Sequence, residues 1–356
     1  MKLNKEIMLL QSLVDIPSPS GHEDEISEFV KKELLKFLPK SAVEIDYNKN
    51  VIARIYGKDK TKSVLFDAHI DTIGFIVMNV CDSGIITLGP LGYGDNQILT
   101  ARHLTILTDN GPVNAVINRK HSHLITDEDE EKVDLMWEAE IDVGIRGREQ
   151  VLKYINIGDP VVYKPYFEPL LGANIAGYGF DDKAGVFVVL DTIKKIVASK
   201  KQPPVNLVFT FTAQEETNSK IKPLITQLRP DLVISADVTF ATDYGWGEWL
   251  DKQAGKCDLE EGPVICRGLE MHKPTYLLME KLAKANKIPF QTQANADAYS
   301  ITALMITEQG PRAMSLGIPL RNMHTPVETI NMYDLMHASK LMKNFLLNRD
   351  LGKILE

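Results

Sequence analysis

Two glutamates, Glu215 and Glu216, stand side by side in "TFTAQEET" (residues 210–217), where the apolar run Val205–Phe211 stops. That run reads as a buried β-strand. Adjacent carboxylates at the edge of a core repel each other unless something positive sits beside them. Other segments end on similar side chains. "SVLFDAHID" delivers His69 and Asp71, and "DLVISAD" delivers Asp237. The Gly-rich loop "GANIAGYGFDD" runs Asp181 and Asp182 into a helix, and the late loop "GIPLRNMHTPVET" carries His324 before Pro326. Each residue alone has a structural explanation, an N-cap for the Asp pair or a satisfied histidine at a strand end. Two His, two Asp and one Glu on separate segments together suit a pair of divalent metal ions, because imidazole nitrogen and carboxylate oxygen are the ligands of catalytic zinc. A bridging Asp brings two cations to roughly 3.5–4 Å, a hydrolytic arrangement. Glu216 would then bind metal. Glu215 would be free to take a proton from activated water and return it to a leaving amine. His69 and Asp71 are two apart on a strand and share a face, so Asp71 can accept the second imidazole N–H and fix the tautomer.

These side chains need a scaffold, and in open α/β sheets ligands bind beyond the carboxyl ends of the strands. The spacing predicts an opening helix that ends near Pro17. A turn, "PSPSGHE", follows, with Ser20 capping a second helix and Glu23 three residues on. "VIARIYG" and "SVLFDAHID" read as strands. Between about Gly74 and Tyr163 short β-like runs alternate with Gly, Asn and Asp turns, with helical spacing only around Arg146–Ile155. After Pro165 strands and helices alternate: a helix through 186–196, a strand over 205–213, a helix over 219–228, the strand "DLVISAD", a helix from near Pro274, a short strand "PFQTQ" and a last helix from Met332. The fold class expected is α/β, with a mainly parallel sheet flanked by helices. The expected division is a catalytic domain of residues 1–72 and 166–356 with an inserted all-β domain of residues 73–165.

Composition narrows the function. The 356 residues are 44% hydrophobic and 25% charged, as in ordinary globular domains, and the net charge is −8. No Lys/Arg-rich block appears, which argues against nucleic-acid binding. No run of about twenty apolar residues is present, so no membrane span is expected. Three cysteines without CxxC spacing, Cys81, Cys257 and Cys266, suit reduced thiols and a cytoplasmic protein.

"IPSPSGHEDEI", "AHIDTIGFIV", "GYGDNQILTARHLTI", "FDDKAG", "AQEET", "SADVT", "NADAYSI" and "GIPLRNMHTPVE", in this order along nearly the whole chain, resemble the glutamyl-aminopeptidase family of dinuclear metallo-aminopeptidases. The resemblance implies that His69, Asp181 and Asp237 hold one metal and that Asp181, Glu216 and His324 hold the other. It further implies that Glu215 is the general base, Asp71 the carboxylate behind His69, and Asp182 a capping neighbour. The ions would be zinc or cobalt, with manganese a further option, and the substrates peptides. The all-β insertion would be a PDZ-like dimerisation domain, which implies a homo-oligomer built from dimers, up to a dodecamer. The sequence departs from the family where Glu usually follows the Asp71 position, since Thr72 stands there. It departs again at Ala294-Asn295-Ala296-Asp297-Ala298, followed by Tyr299 and Ser300, in a region expected to shape the substrate pocket. Arg321, close to His324 in sequence, is a candidate either to attract an acidic group or to serve as a surface or structural arginine. Rival readings are a dipeptidase or deacylase with the same metals, and a non-catalytic assembly protein with a structural metal site. A glycosidase needs two carboxylates and no metal, so the histidines argue against it.

Overall fold

A computed structural model describes residues 4–130, 132–133, 135–245, 247–295 and 310–356. In chain order its first strands are β1 (Val43–Ile45), β2 (Val51–Ile55) and β3 (Asp59–His69). Next come β4 (Gly74–Val80), β5 (Ile86–Leu91), β6 (His103–Thr108), β7 (Gly111–Ile117), β8 (Ile141–Asp142) and β9 (Pro160–Tyr163). They are followed by β10 (Phe167–Pro169), β11 (Asn174–Gly177), β12 (Val205–Thr212) and β13 (Leu232–Phe240). The last are β14 (Val264–Ile265), β15 (Arg267–Gly268), β16 (Ala294–Asn295), β17 (Arg312–Leu320) and β18 (Glu328–Asn331).

The fold is mixed α/β. A seven-stranded sheet runs β1-β2-β12-β3-β13-β17-β14. Its central strands β12, β3, β13 and β17 are parallel, and β1, β2 and β14 join antiparallel at the edges. Both faces of β12 are buried, which is why it reads as an almost continuous apolar run. Val205, Leu207, Phe209 and Phe211 face a cluster shared with the helices Asn4–Val14, Phe180–Ser199 and Met332–Leu346. Val208 faces the other side, against Ile221, Leu224 and Ile225 of the helix Ile221–Leu228. The helix Phe180–Ser199 buries fifteen of its twenty residues, so it lies inside the molecule and shows no polar stripe.

Strands β4 to β9 close into a barrel in the order β4-β5-β8-β7-β6-β9, with every neighbouring pair antiparallel. Val77, Leu88, Leu104, Ile106 and Val161 belong to an apolar cluster separate from that of the sheet. An edge-to-face series, Phe75 to Tyr163 at 5.2 Å and Tyr163 to Tyr178 at 5.8 Å, ties the barrel to the segment that enters the helix Phe180–Ser199. The Tyr178 hydroxyl donates to the Ile73 carbonyl at 2.5 Å.

Several elements differ from the sequence expectations. Ser20 does not cap the second helix, which is Asp24–Leu34 with Glu23 at the cap position. Its hydroxyl instead meets the Thr217 hydroxyl at 2.6 Å. The helical stretch at 146–155 contracts to Arg148–Val151, and the one at 219–228 begins at Ile221. "PFQTQ" is not a strand: only Gln291 makes an isolated bridge, to Val264. The Gln291 side-chain amide donates to the Asp258 and Gly262 carbonyls, which holds this stretch as a braced loop. "GIPL" is not loop but the end of β17, paired to β13 through Leu320 and Phe240.

Candidate metal centre

The register of the parallel strands brings the expected side chains to one level. Thr212 of β12 pairs with His69 at the end of β3, and Ser235 of β13 pairs with Asp67. Asp237, two residues beyond Ser235, therefore comes level with His69. Glu215 and Glu216 open the short helix Glu215–Asn218 just past β12. His324 follows β17. Asp181 and Asp182 depart from helical geometry at the head of the helix Phe180–Ser199, and the peptide bond between them is cis. The regular helix is capped by Asp182, whose Oδ1 accepts from the Gly185 amide at 3.0 Å. A Cβ on residue 185 would lie 2.3 Å from that carboxylate, which explains the glycine in "FDDKAG".

The structure brings together all five expected ligands. His69, Asp181 and Asp237 form one group and Asp181, Glu216 and His324 another, with ligand atoms inside each group within 4.8 Å of one another. Asp181 is common to both. Its Oδ1 lies 3.0 Å from His69 Nε2 and its Oδ2 3.2 Å from His324 Nε2. His69 Nε2 is 4.0 Å from Asp237 Oδ1, and His324 Nε2 is 3.5 Å from Glu216 Oε2. In both histidines Nδ1 faces an acceptor, so in the neutral ring the proton sits there and Nε2 offers its lone pair to a cation. His69 Nδ1 donates to the main-chain carbonyl of Asp71 at 3.1 Å, with the Asp71 carboxylate 3.5 Å away. His324 Nδ1 donates to the carbonyl of Tyr93 at 2.9 Å.

Asp71 also does something that its position two residues from His69 did not suggest. Its carboxylate accepts from the amides of Glu215 (2.9 Å) and Glu216 (3.1 Å), fixing the backbone that carries both acids. Glu215 is buried, and its charge is felt by both His69 and Asp237. Two further residues, Glu328 and Tyr93, were not singled out from sequence, and a third, Glu23, was read there only as part of a helix cap. Glu328 Oε1 accepts from the His324 amide and Oε2 from the Asp181 amide, each at 3.2 Å, so one buried carboxyl spans the backbones of two expected ligands. Tyr93 lies between β5 and β6 of the barrel, and a Cβ on the adjacent Gly92 (φ +85°) would come within 2.8 Å of the Ile73 side chain. Glu23 holds the Gln214 amide. An acid four residues after His324, at the head of the short strand β18, was the available signal for Glu328.

Two residues noted in the sequence have partners within the chain. Thr72 is tied to the opening turn, its amide donating to the Ser18 carbonyl at 2.9 Å. Arg321 is engaged by Asp243, with Nε to Oδ1 at 2.8 Å and a second nitrogen to Oδ2 at 2.5 Å. Ala296, Asp297, Ala298, Tyr299 and Ser300 lie outside the described residues.

Crowding of acids tests whether the site suits cations. Burial pushes the Glu216 and Asp237 carboxyls well above the ordinary range, with Asp181 adding repulsion. Burial pushes Asp181 upward too, but hydrogen bonds from His324 and His69 outweigh it and hold that carboxyl low. Glu216 Oε1 is buried with no hydrogen-bond partner. Five carboxylates (Asp71, Asp181, Glu215, Glu216 and Asp237) against two imidazoles are costly without added positive charge. The donor set and its orphaned oxygen fit divalent cations.

Burial lowers the His324 imidazole, but the contact with Asp181 prevails and pushes it up to about 10. In the metal-free protein this ring therefore carries a proton at neutral pH, which a cation must displace. Metal affinity is expected to strengthen as pH rises toward about 10, with proton release on loading. Calorimetry in two buffers of different ionisation enthalpy reads that release, and an affinity independent of pH would contradict it.

Residues 49–341 match the sequence profile of the M42 glutamyl aminopeptidases. The chain belongs to that family. An M42 relative described as a putative aminopeptidase, from Acetivibrio thermocellus, is 29% identical over 339 residues, covering 94% of this chain and 96% of the relative. The aminopeptidase APDkam598 of the archaeon Desulfurococcus kamchatkensis superposes with a TM-score of 0.86 at 27% identity, over 96% of this chain and 94% of that one. The TET1 peptidase of Pyrococcus horikoshii, which can assemble into a tetrahedron or a large octahedral shell, superposes with a TM-score of 0.83 at 25% identity, over 96% and 99% of the two chains. M42 membership makes this chain a peptidase-type hydrolase. Among its described residues no helix is long and apolar enough to cross a membrane.

Proposed function

We propose that this protein is a metal-dependent aminopeptidase that releases amino-terminal residues from peptides, with Glu215 as general base. The observation that carries this reading is Asp181, whose two oxygens face two separate His/carboxylate groups. His69, Asp181 and Asp237 would hold one divalent ion, and Asp181, Glu216 and His324 a second, with zinc or cobalt favoured and manganese compatible. Ions bound there would supply Lewis acidity, polarising the scissile carbonyl and making water a nucleophile at neutral pH. The Glu215 carboxylate accepts the proton of the attacking water and passes it to the departing amine nitrogen. Asp71 keeps Glu215 in place through its amide, and the Asp71 and Tyr93 carbonyls keep both imidazoles in the ligating tautomer.

In the same reading, residues 1–72 and 166–356 form the catalytic unit, and residues 73–165 form an inserted PDZ-like dimerisation module. A homo-oligomer built from dimers, up to a dodecamer, is supported by the shells formed by the TET1 peptidase. Free Cys81, Cys257 and Cys266 fit a reducing compartment, the cytoplasm. The test is a panel of aminoacyl chromogenic amides and a peptide-length series, run on apoprotein reloaded with each metal. Cleavage from the amino terminus of peptides of several lengths, lost with a chelator and restored by metal, is expected. Activity confined to dipeptides or N-acyl amino acids would favour a dipeptidase or deacylase.

A further inference from the structure

We infer that Glu23, in the turn joining the first two helices, is a positioning residue for the reaction: its carboxyl holds the backbone of the Ala213–Glu216 elbow in the geometry that Glu215 requires. The inference rests on the assignment of Glu215 as general base.

Four consecutive amides of this elbow donate to side chains from elsewhere in the chain. Ala213 donates to Asn50 Oδ1 (2.9 Å), Gln214 to Glu23 Oε1 (3.1 Å), Glu215 to Asp71 Oδ1 (2.9 Å) and Glu216 to Asp71 Oδ2 (3.1 Å). A strand end followed by a one-turn helix leaves such donors without regular partners, and these three side chains supply them. Gln214 has φ +58°, a conformation that a residue with a Cβ keeps only when its surroundings impose it. Glu23 is the side chain that meets it there.

Glu23 is only 1% exposed. Its Oε1 accepts twice, from Gly21 at 2.7 Å and from Gln214, while Oε2 is buried with no hydrogen-bond partner. Burying a carboxyl with one oxygen unsatisfied is destabilising, so packing alone does not account for an acid here. The turn around it is knitted to the segments that carry the site. Lys183 Nζ donates to the Ile16 carbonyl, Ser18 Oγ to the Ile70 carbonyl and the Ser20 amide to the Thr72 carbonyl, while the Ser20 and Thr217 hydroxyls meet. Gly21, at φ +90°, lets the chain reverse within this knot. Thus "PSPSGHE" splints the elbow to the end of β3 and to the helix headed by Asp181. Burial, then repulsion from Asp71, pushes the Glu23 carboxyl up to about 7. A neutral acid still offers a carbonyl oxygen, so a glutamine amide can take over its accepting role.

The test compares Glu23→Ala and Glu23→Gln in the metal-loaded enzyme. Glu23→Ala is expected to lower kcat by about 10²-fold, the scale of a misplaced catalytic group, with KM within about threefold and bound metal unchanged. Hydrogen exchange of a peptide spanning residues 211–218 should quicken at the elbow. Glu23→Gln should retain kcat within about threefold of wild type and keep the elbow protected. A tenfold or greater fall in kcat for Glu23→Gln overturns the inference even if the alanine variant does not fold. So does a Glu23→Ala enzyme with wild-type kcat and wild-type elbow exchange. Failure of the Glu215 assignment would look different: Glu215→Gln would turn over at the wild-type rate, whatever the exchange at the elbow.

Discussion

Glu215→Gln is expected to lower kcat by about 10²–10⁴-fold, the range that a general base contributes, while the purified protein keeps its full metal content. The amide preserves the size of the side chain and leaves the Glu215 main-chain N–H on Asp71 undisturbed. It removes only the capacity to take a proton. KM should move little, because the amide keeps the size of the side chain. Steady-state kinetics with elemental analysis of the same sample measures both. Turnover at the wild-type rate would remove Glu215 from the chemistry, and loss of metal would make it a ligand rather than a base.

Asp181→Ala is the more drastic change and should empty both halves of the centre. Asp181 alone belongs to both ligand groups. Its removal takes a donor from each at once and leaves Glu216, Asp237, His69 and His324 without the carboxylate between them. Replacing a residue that merely supports a ligand costs roughly 10–100-fold in metal affinity, and removing a shared ligand should exceed that at both positions. His324→Ala, in contrast, should weaken one ion and leave the His69–Asp181–Asp237 group whole. Metal stoichiometry by elemental analysis, read beside activity, separates the two variants. Two equivalents of metal on Asp181→Ala would refute the bridging role, and equal losses in both variants would argue against two distinguishable sites. Asp181→Asn keeps the side-chain shape and guards against misfolding as an explanation.

The five clustered side chains proposed as ligands were legible because their chemistry resides in side chains at strand ends and loop heads. His69, Asp237, Glu216 and His324 each break an apolar or loop pattern in a way that sequence displays. The parts that hold them were less legible because they act on main chain. Glu328 and Glu23 accept from amides, and every residue but proline offers one, so no pairing of side-chain types announces them. Tyr93 contributes a carbonyl, which any residue could supply at that spot. Long-range partners also defeated local rules. Ser20 and Glu23 have the spacing of a helix cap, yet the serine hydroxyl reaches Thr217, 197 positions away, and the carboxyl reaches Gln214. The apolar and β-branched run of β12 identified a buried strand at once, since helices on both faces of the sheet leave it no polar side.

The hydrogen bond from His324 to Tyr93 has an implication for engineering this chain. Its donor follows β17 of the sheet, and its acceptor lies on a loop of the barrel. A chimaera carrying a barrel from another protein would thus inherit not only a new outer surface but a new constraint on an imidazole. Unless the graft offers a carbonyl at the same place, the ring is free to turn, and the transplant would be expected to fold yet load its cations poorly.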